Sequence, residues 1–387
     1  MAIPIKYNLR SLLQRRLSAL MTVFSIALVV FIFVSVMALA NGLETALVSS
    51  GDALNILVLR RGSGTELSSS VSNQALQVIK FLPGVQSNAA GDPQASPEVF
   101  VIINLPNGND GDVTNVAIRG SSAIGFQMRP QMRLVAGRLF QAGLHEVIVS
   151  RTLSKRFANM NLGDQLRLGN ASWSVVGIFD AGNTSYDSEI WADVNQVMGD
   201  FKYQTYSSVL LRAKDQASVR EVSQRIEADR TYNLMAQPEK KYYEGQTWAA
   251  GPIKAMGLFI AVLMGIGACF AAMNTMYAAV SYRKQEIATL RVLGFKRRNI
   301  MFSFLTEAMV VALAGGVLGC LLSLPINKLT TGTTNWQTFS EVAFAFRTSP
   351  KLLLVGMIFA ALIGLFGGLF PSRRASRELP AAALRKT

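Results

Sequence analysis

The sequence predicts an α-helical membrane protein with four transmembrane helices and an α+β domain outside the membrane. Three observations lead there. No Asp, Glu, Lys or Arg occurs in 17–43, 255–282, 308–327 or 352–372, and each run has the roughly 20 residues a helix needs to cross about 30 Å of hydrocarbon. The short segments 1–18, 282–299 and 371–387 hold fifteen Lys/Arg and two Asp/Glu, so they supply +13 of the formal +14. Between the first two runs lies a stretch with the composition of a soluble domain. Basic residues close to spans stay on the cytosolic side, which fixes both termini and 282–299 as cytosolic. A nucleic-acid binder would instead gather its charge on one face of a soluble domain, so no nucleic-acid partner is expected.

The order along the chain follows. Residues 1–18 read as an amphipathic helix in the cytosolic interface, with Ile5, Leu9, Leu12, Leu13 and Leu17 on one face, or as a plain extension of the first span. The first span is placed at 19–42. Ala38-Leu39-Ala40 has the look of a signal-peptidase site, but an uncharged run of 27 residues far exceeds the roughly 7–15 of a signal peptide's apolar region, so the span is read as retained. An extracytoplasmic domain occupies 43–252. A second span covers 253–281, a cytosolic helix and loop 282–299, a third span 300–326, an outside loop 327–351, a fourth span 352–370 and a cytosolic tail 371–387.

Within the outside domain, strands are predicted at 56–59, 99–103, 113–118, 146–149, 173–178 and 207–211. Helices are predicted at 71–82, 150–158 and 216–230, the last after Asp215. Helices between strands suggest α+β subdomains rather than a sandwich. The two cysteines, Cys269 and Cys320, lie in spans, so the outside domain must hold by its core alone.

Chemistry-bearing patterns are few. The one histidine, His145, has no cysteine near it and reads as a surface loop residue, so no metal site is expected. No Gly-x-x-x-x-Gly-Lys-Ser/Thr phosphate loop occurs, and no carboxylates pair by spacing into an acid–base site. The chain is expected not to be an enzyme. Inside the spans, Gly315 and Gly319, and likewise Gly364 and Gly368, stand four apart, a spacing that lets helices approach closely in lipid. Ala261 and Gly265 repeat it on the second span. Glu307 is an ionisable residue about two turns inside the third span. It reads as a structural brace, with Arg291, Lys296 and Arg297 as candidate partners.

The cytosolic run Arg283-Lys284-Gln285-Glu286-Ile287-Ala288-Thr289-Leu290-Arg291-Val292-Leu293-Gly294-Phe295 is built of good helix formers and stops at a glycine suited to a left-handed cap. It resembles the coupling segment of the MacB/FtsX-like ABC permeases. Gly315-Gly316-x-x-Gly319, the chain end from Phe370-Pro371 through Leu384-Arg385, and Ala136 to Phe140, Leu162-Gly163-Asp164 and Val175 to Phe179 match the family more weakly. The resemblance covers the whole chain and fits the MacB and LolC/LolE branch better than short FtsX proteins.

The resemblance implies a porter-type α/β portion with a strand-rich insert near 121–205, in a multi-pass protein of the inner membrane. It implies docking of an ABC ATPase through Arg283, Lys284, Glu286, Ile287, Leu290, Arg291, Leu293 and Gly294. No nucleotide-binding domain is fused here, so ATP and Mg are expected on a separate ATPase, with no cofactor in this chain. Further implied partners are a second copy or a paralogue in a dimer, a periplasmic adaptor or lipoprotein carrier, and membrane lipid. ATP-driven movement would power export or lipoprotein release, or, as in cell-division FtsX, activate an envelope hydrolase.

Overall fold

The computed structural model describes residues 15–106, 113–335 and 338–377; most of the amphipathic segment expected at 1–18 and the end of the tail lie outside them. Gly42–Ala250 with Thr330–Ala345 form one compact unit, and the other described residues form a second.

The second unit is a helix bundle. Four helices are long and apolar enough to cross a membrane: α1 (Arg16–Val48, its last turns belonging to the other unit), α8 (Ala250–Tyr282), α10 (Arg297–Ser323) and α11 (Pro350–Arg377). The α11 helix runs through Pro371, so the first turns of the expected tail are helical. Small residues set the packing. A Cβ added at Gly319 would stand 2.6 Å from the Ala27 carbonyl oxygen, and one at Gly315 2.8 Å from that of Val23, so both face α1. Added Cβ atoms at Gly364 and Gly368 would each come within 2.5 Å of a Cβ on α10, that of Ala312 or Ala308. Gly265 meets the Phe359 ring of α11, and Ala261 is buried. Both glycine pairs therefore sit at close helix approaches, where small residues let van der Waals contact replace the hydrophobic drive that lipid does not supply.

The first unit is built on one continuous sheet of ten described strands: β1 (Asn55–Arg60), β2 (Ala95–Pro106), β3 (Val113–Ser121), β4 (Arg133–Gly137), β5 (Glu146–Ser150), β6 (Gln165–Leu168), β7 (Ala171–Asp180), β8 (Glu189–Asp193), β9 (Ser208–Arg212) and β10 (Leu234–Pro238). Their order is β10-β1-β9-β2-β3-β8-β5-β7-β4, with β6 also on β7. The long β2 joins two halves: residues 95–98 pair with β9, and 99–106 pair with β3. In the first half, Ile56 and Val58 of β1 pack against α2 (Asn73–Ile79) and α6 (Gln216–Ala228). Asp215 caps α6 as the sequence suggests, its side chain accepting from the Ser218 amide. In the second half, β3, β5, β7 and β8 bury Val116, Val147, Trp173 and Ile190 with Leu153 of α4 (Arg151–Arg156) and Val197 of α5 (Val194–Asp200). This half holds the strand-rich region expected near 121–205, and also takes in β3 and the end of β2.

A third apolar cluster lies on the alternate residues of β1, Leu57 and Leu59. It joins Phe126 of α3 (Ala123–Gln127), Trp191 of β8, and Tyr242 and Tyr243 of α7 (Glu239–Gln246). The stretch read as a loop at 327–351 contains a hairpin, β11 (Thr330–Thr334) and β12 (Glu341–Ala345). It docks on this unit: the Ala343 amide donates to Ser188 Oγ, the Ala345 amide to Asn183 Oδ1, and Arg156 pairs with Glu341 at 2.7 Å.

Candidate functional site

The segment after α8 forms a separate helix, α9 (Lys284–Val292), and Gly294 ends it at φ +92°. That is the left-handed conformation for which a glycine has no Cβ penalty. Ile287 and Ala288 turn inward, Ile287 onto Val280, Ile300, Phe304 and Ala375. Lys284 and Glu286 face solvent, Leu290 and Arg291 are half-buried, and Val292 and Leu293 project at 66% and 69% exposure. The outward apolar surface of α9 is therefore its C-terminal end, with Tyr282 exposed before its start.

Arg283 stands at the break between α8 and α9 and is buried. Its Nε donates to Glu286 Oε2 at 2.9 Å, its Nη1 to Glu307 Oε2 at 3.3 Å, and its guanidinium lies 5.2 Å from the centre of the Phe304 ring. Glu307, 1% exposed, also accepts from Arg15 Nη2 at 2.5 Å. The partners expected from the sequence, Arg291, Lys296 and Arg297, are thus replaced by Arg15 and Arg283. Proximity in sequence favoured the loop residues. The turn at Arg283 and the start of α1 instead deliver the cations, one of them from 292 positions away.

A second charged cluster, unread in the sequence, lies in the outside unit. Arg119 of β3 and Arg129 beyond α3 are each 1% exposed. Arg119 directs all five N–H groups to carboxylates: Nε and Nη2 to Glu189 (2.8 and 2.9 Å), Nη1 and Nη2 to Glu66 (2.8 and 3.0 Å), and Nη1 to Glu98 (2.8 Å). Arg129 grips Glu98 with Nη1 and Nη2 (2.6 and 2.9 Å), and its Nε reaches Tyr186 Oη at 2.9 Å. Tyr186 Oη in turn donates to Glu239 Oε1 at 2.9 Å, and Asn55 Nδ2 donates to Glu239 Oε2 at 2.9 Å.

Glu66 follows β1, Glu98 lies where β2 changes partner, Glu189 opens β8 and Glu239 opens α7. The network thus ties together the two halves of the sheet and the segments at both ends of the domain. Saturated hydrogen bonding is what such burial requires, since isolated buried charges are strongly disfavoured. Burial pushes the Glu189 carboxyl up despite Arg119. At Glu98 burial acts the same way, but Arg129 and Arg119 together hold the carboxyl below its ordinary value. An arginine in the buried run Val116 to Gly120 is the signal that could have exposed this network in the sequence.

His145 touches Asp200 at 3.2 Å and meets Trp173 edge-on. Among the described residues, no group of three His, Cys, Asp or Glu could hold a metal ion.

Comparison with known proteins agrees with this layout. Residues 19–229 match the model of the MacB-like periplasmic core domain, and 258–380 that of the FtsX-like permease C-terminal region. The macrolide export ATP-binding/permease protein MacB 2 of Yersinia pestis bv. Antiqua (strain Antiqua) is 24% identical over 98% of this chain and 57% of its own length. MacB of Brucella melitensis biotype 1 is 26% identical over 98% of this chain and 60% of its own. The chain therefore spans a little over half the length of these curated relatives. The solved periplasmic region of MacB from Actinobacillus actinomycetemcomitans aligns with 50% of this chain and 92% of its own, at 12% identity and a TM-score of 0.38.

Proposed function

The chain belongs to the MacB/FtsX-like permease family, and from that premise we propose that it is the membrane subunit of an ABC transporter that relays ATP-driven movement to its extracytoplasmic domain. The observation that carries this reading is α9, a short cytosolic helix with an apolar end. In this reading Val292, Leu293 and the flanking Tyr282 contact an ABC ATPase not contained in these 387 residues, and that ATPase binds the ATP and Mg. The span hydroxyls favour a relay over a pore. A path for a polar solute needs donors and acceptors along it, but Ser35, Thr275, Ser323 and Ser372 donate to carbonyls of their own helices. Asn274 is exposed on α8, and an amide facing outward from a bundle in lipid favours a helix of a second copy or paralogue as its partner.

Substrate is then taken from the outer side of the membrane, by export through an adaptor or by extraction of a lipoprotein for a carrier. Signalling to an envelope hydrolase is the alternative. The docking claim is tested by replacing Val292 and Leu293 together with Asp in the full chain co-expressed with its ABC ATPase. The variant should insert normally and lose co-purification, because two charges would enter an apolar contact. Retained co-purification would remove α9 as the docking element.

A further inference from the structure

Among the described residues, the ion pairs at the base of the bundle join Arg15 and Arg283 to Glu286 and Glu307, two cations to two carboxylates. The set is graded in depth. The Glu286 side chain is 52% exposed on α9, Arg283 is buried behind it, and Glu307 is buried on α10 against Arg15 at the start of α1. A path of charge thus runs from the solvent face of α9 through one guanidinium and one carboxylate to the foot of α1.

Building on the docking role of α9, we propose that Glu307 is the positioning residue that couples α9 to α1 and α10. A carboxylate in so dry a setting needs cationic partners, and withdrawing either arginine leaves it to the other alone. A displacement of α9 that carries Arg283 must therefore draw Glu307, and with it α10, or shift its burden onto Arg15. The two sides differ in freedom. Phe304 lies against the Arg283 guanidinium, whereas a small cavity lined by Arg15, Ser18, Thr22, Thr275 and Glu307 adjoins the other side. Movement of α9 is thus transmitted rigidly at Arg283 and absorbed by rearrangement at Arg15.

The test uses the full chain, reconstituted with its ABC ATPase and spin-labelled on the outside domain. Two variants are compared with wild type: Glu307→Gln, and Arg283→Gln, which leaves the Arg15–Glu307 pair in place and guards against a folding defect in the first. Both should retain the ATPase on co-purification. In both, the factor by which trapped ATP shifts the label-distance populations should fall about fivefold or more, the scale of an ordinary coupling between sites. Glu307→Asp, which keeps the charge, should restore part of it. Full coupling in either Gln variant with the ATPase bound would overturn the inference, and so would loss of docking in both, which would make Glu307 a support of the docking surface. Failure of wild type itself to retain the ATPase would instead overturn the docking reading, and the inference with it.

Discussion

The bundle and the outside domain both bury arginine–glutamate contacts, but they use them differently. In the bundle one carboxylate, Glu307, is shared by two arginines from distant points of the chain, and the helices otherwise pack through small residues at their closest approaches and larger apolar side chains such as Ile26, Val30 and Ile363. In the outside domain two arginines serve four carboxylates, each no more than 5% exposed, beneath an aromatic cluster that includes Tyr186 and Trp191. With Glu286, which pairs with Arg283, the described ion pairs of the first set carry no net formal charge; the second is two negative charges in excess when fully ionised. A balanced set can exchange partners at modest cost, whereas a saturated, acid-rich network fixes every group it touches. Under the proposed relay, the comparison teaches that the saturated outside domain would move as a body while the base of the bundle changes its contacts.

The largest effect should come from the rigid region. Arg119→Met removes the guanidinium shared by Glu66, Glu98 and Glu189, and should destabilise the outside domain by about 3–5 kcal/mol. Thermal unfolding followed by tryptophan fluorescence reads this directly, since the Trp191 ring lies 5.7 Å from the Arg119 guanidinium. A loss below about 1 kcal/mol, the range of exposed ion pairs, would show that the network does not hold the two halves together.

Close packing should matter next. Gly319→Leu drives a side chain into the Ala27 carbonyl and Val30 of α1, and overpacking of this kind costs about 1–3 kcal/mol. The same change at Gly267, around which no atom lies within 4 Å of an added Cβ, should leave the melting temperature in detergent unchanged. Equal losses at both positions would deny that the α1–α10 approach is special.

The smallest effect is a change of slope with pH. Burial raises the Glu189 carboxyl above its ordinary value. The fold therefore favours its protonated form, and the stability it contributes is full below the ordinary carboxylate value and lost as pH rises through the raised one. Glu98 is depressed, and its contribution is lost in the opposite direction, as pH falls. Glu189→Gln should accordingly flatten the decline in melting temperature as pH rises above the ordinary carboxylate value and leave the decline in acid. An unchanged slope above that value would mean that Glu189 is not the proton-binding member.

Much of the membrane half was legible in the sequence, because unpaired charge is costly inside a span and a capping glycine stands out at the end of a polar helix. The glycine pairs were legible for a similar reason: a four-residue spacing says which face they share. Glu307 could be singled out, but its partners could not, since Arg15 reaches it only through the packing of α1 on α10. In the outside domain β1, β3, β5, β7 and β9 show as apolar runs. The β4 strand, exposed along its whole length, and β6, with Gln165 and Arg167 facing out, carry too little pattern to be seen. The β11–β12 hairpin was hidden by its place in a short connection between spans, although Val342 to Ala345 is a short apolar run of the kind a buried strand shows. The buried network joins residues from Glu66 to Glu239, and no local spacing encodes it.

The central claim is that ATP changes the arrangement of the outside domains while no solute crosses from the cytosolic side. With Cys269 and Cys320 replaced, a spin label at Gln74→Cys, exposed on α2, can be placed on each copy in the proposed dimer reconstituted with the ATPase. Label separations in the nucleotide-free and ATP-trapped states should differ, with no ATP-dependent passage of a polar solute out of the same proteoliposomes. Unchanged separations together with passage of that solute would contradict the relay and require a pore through the bundle.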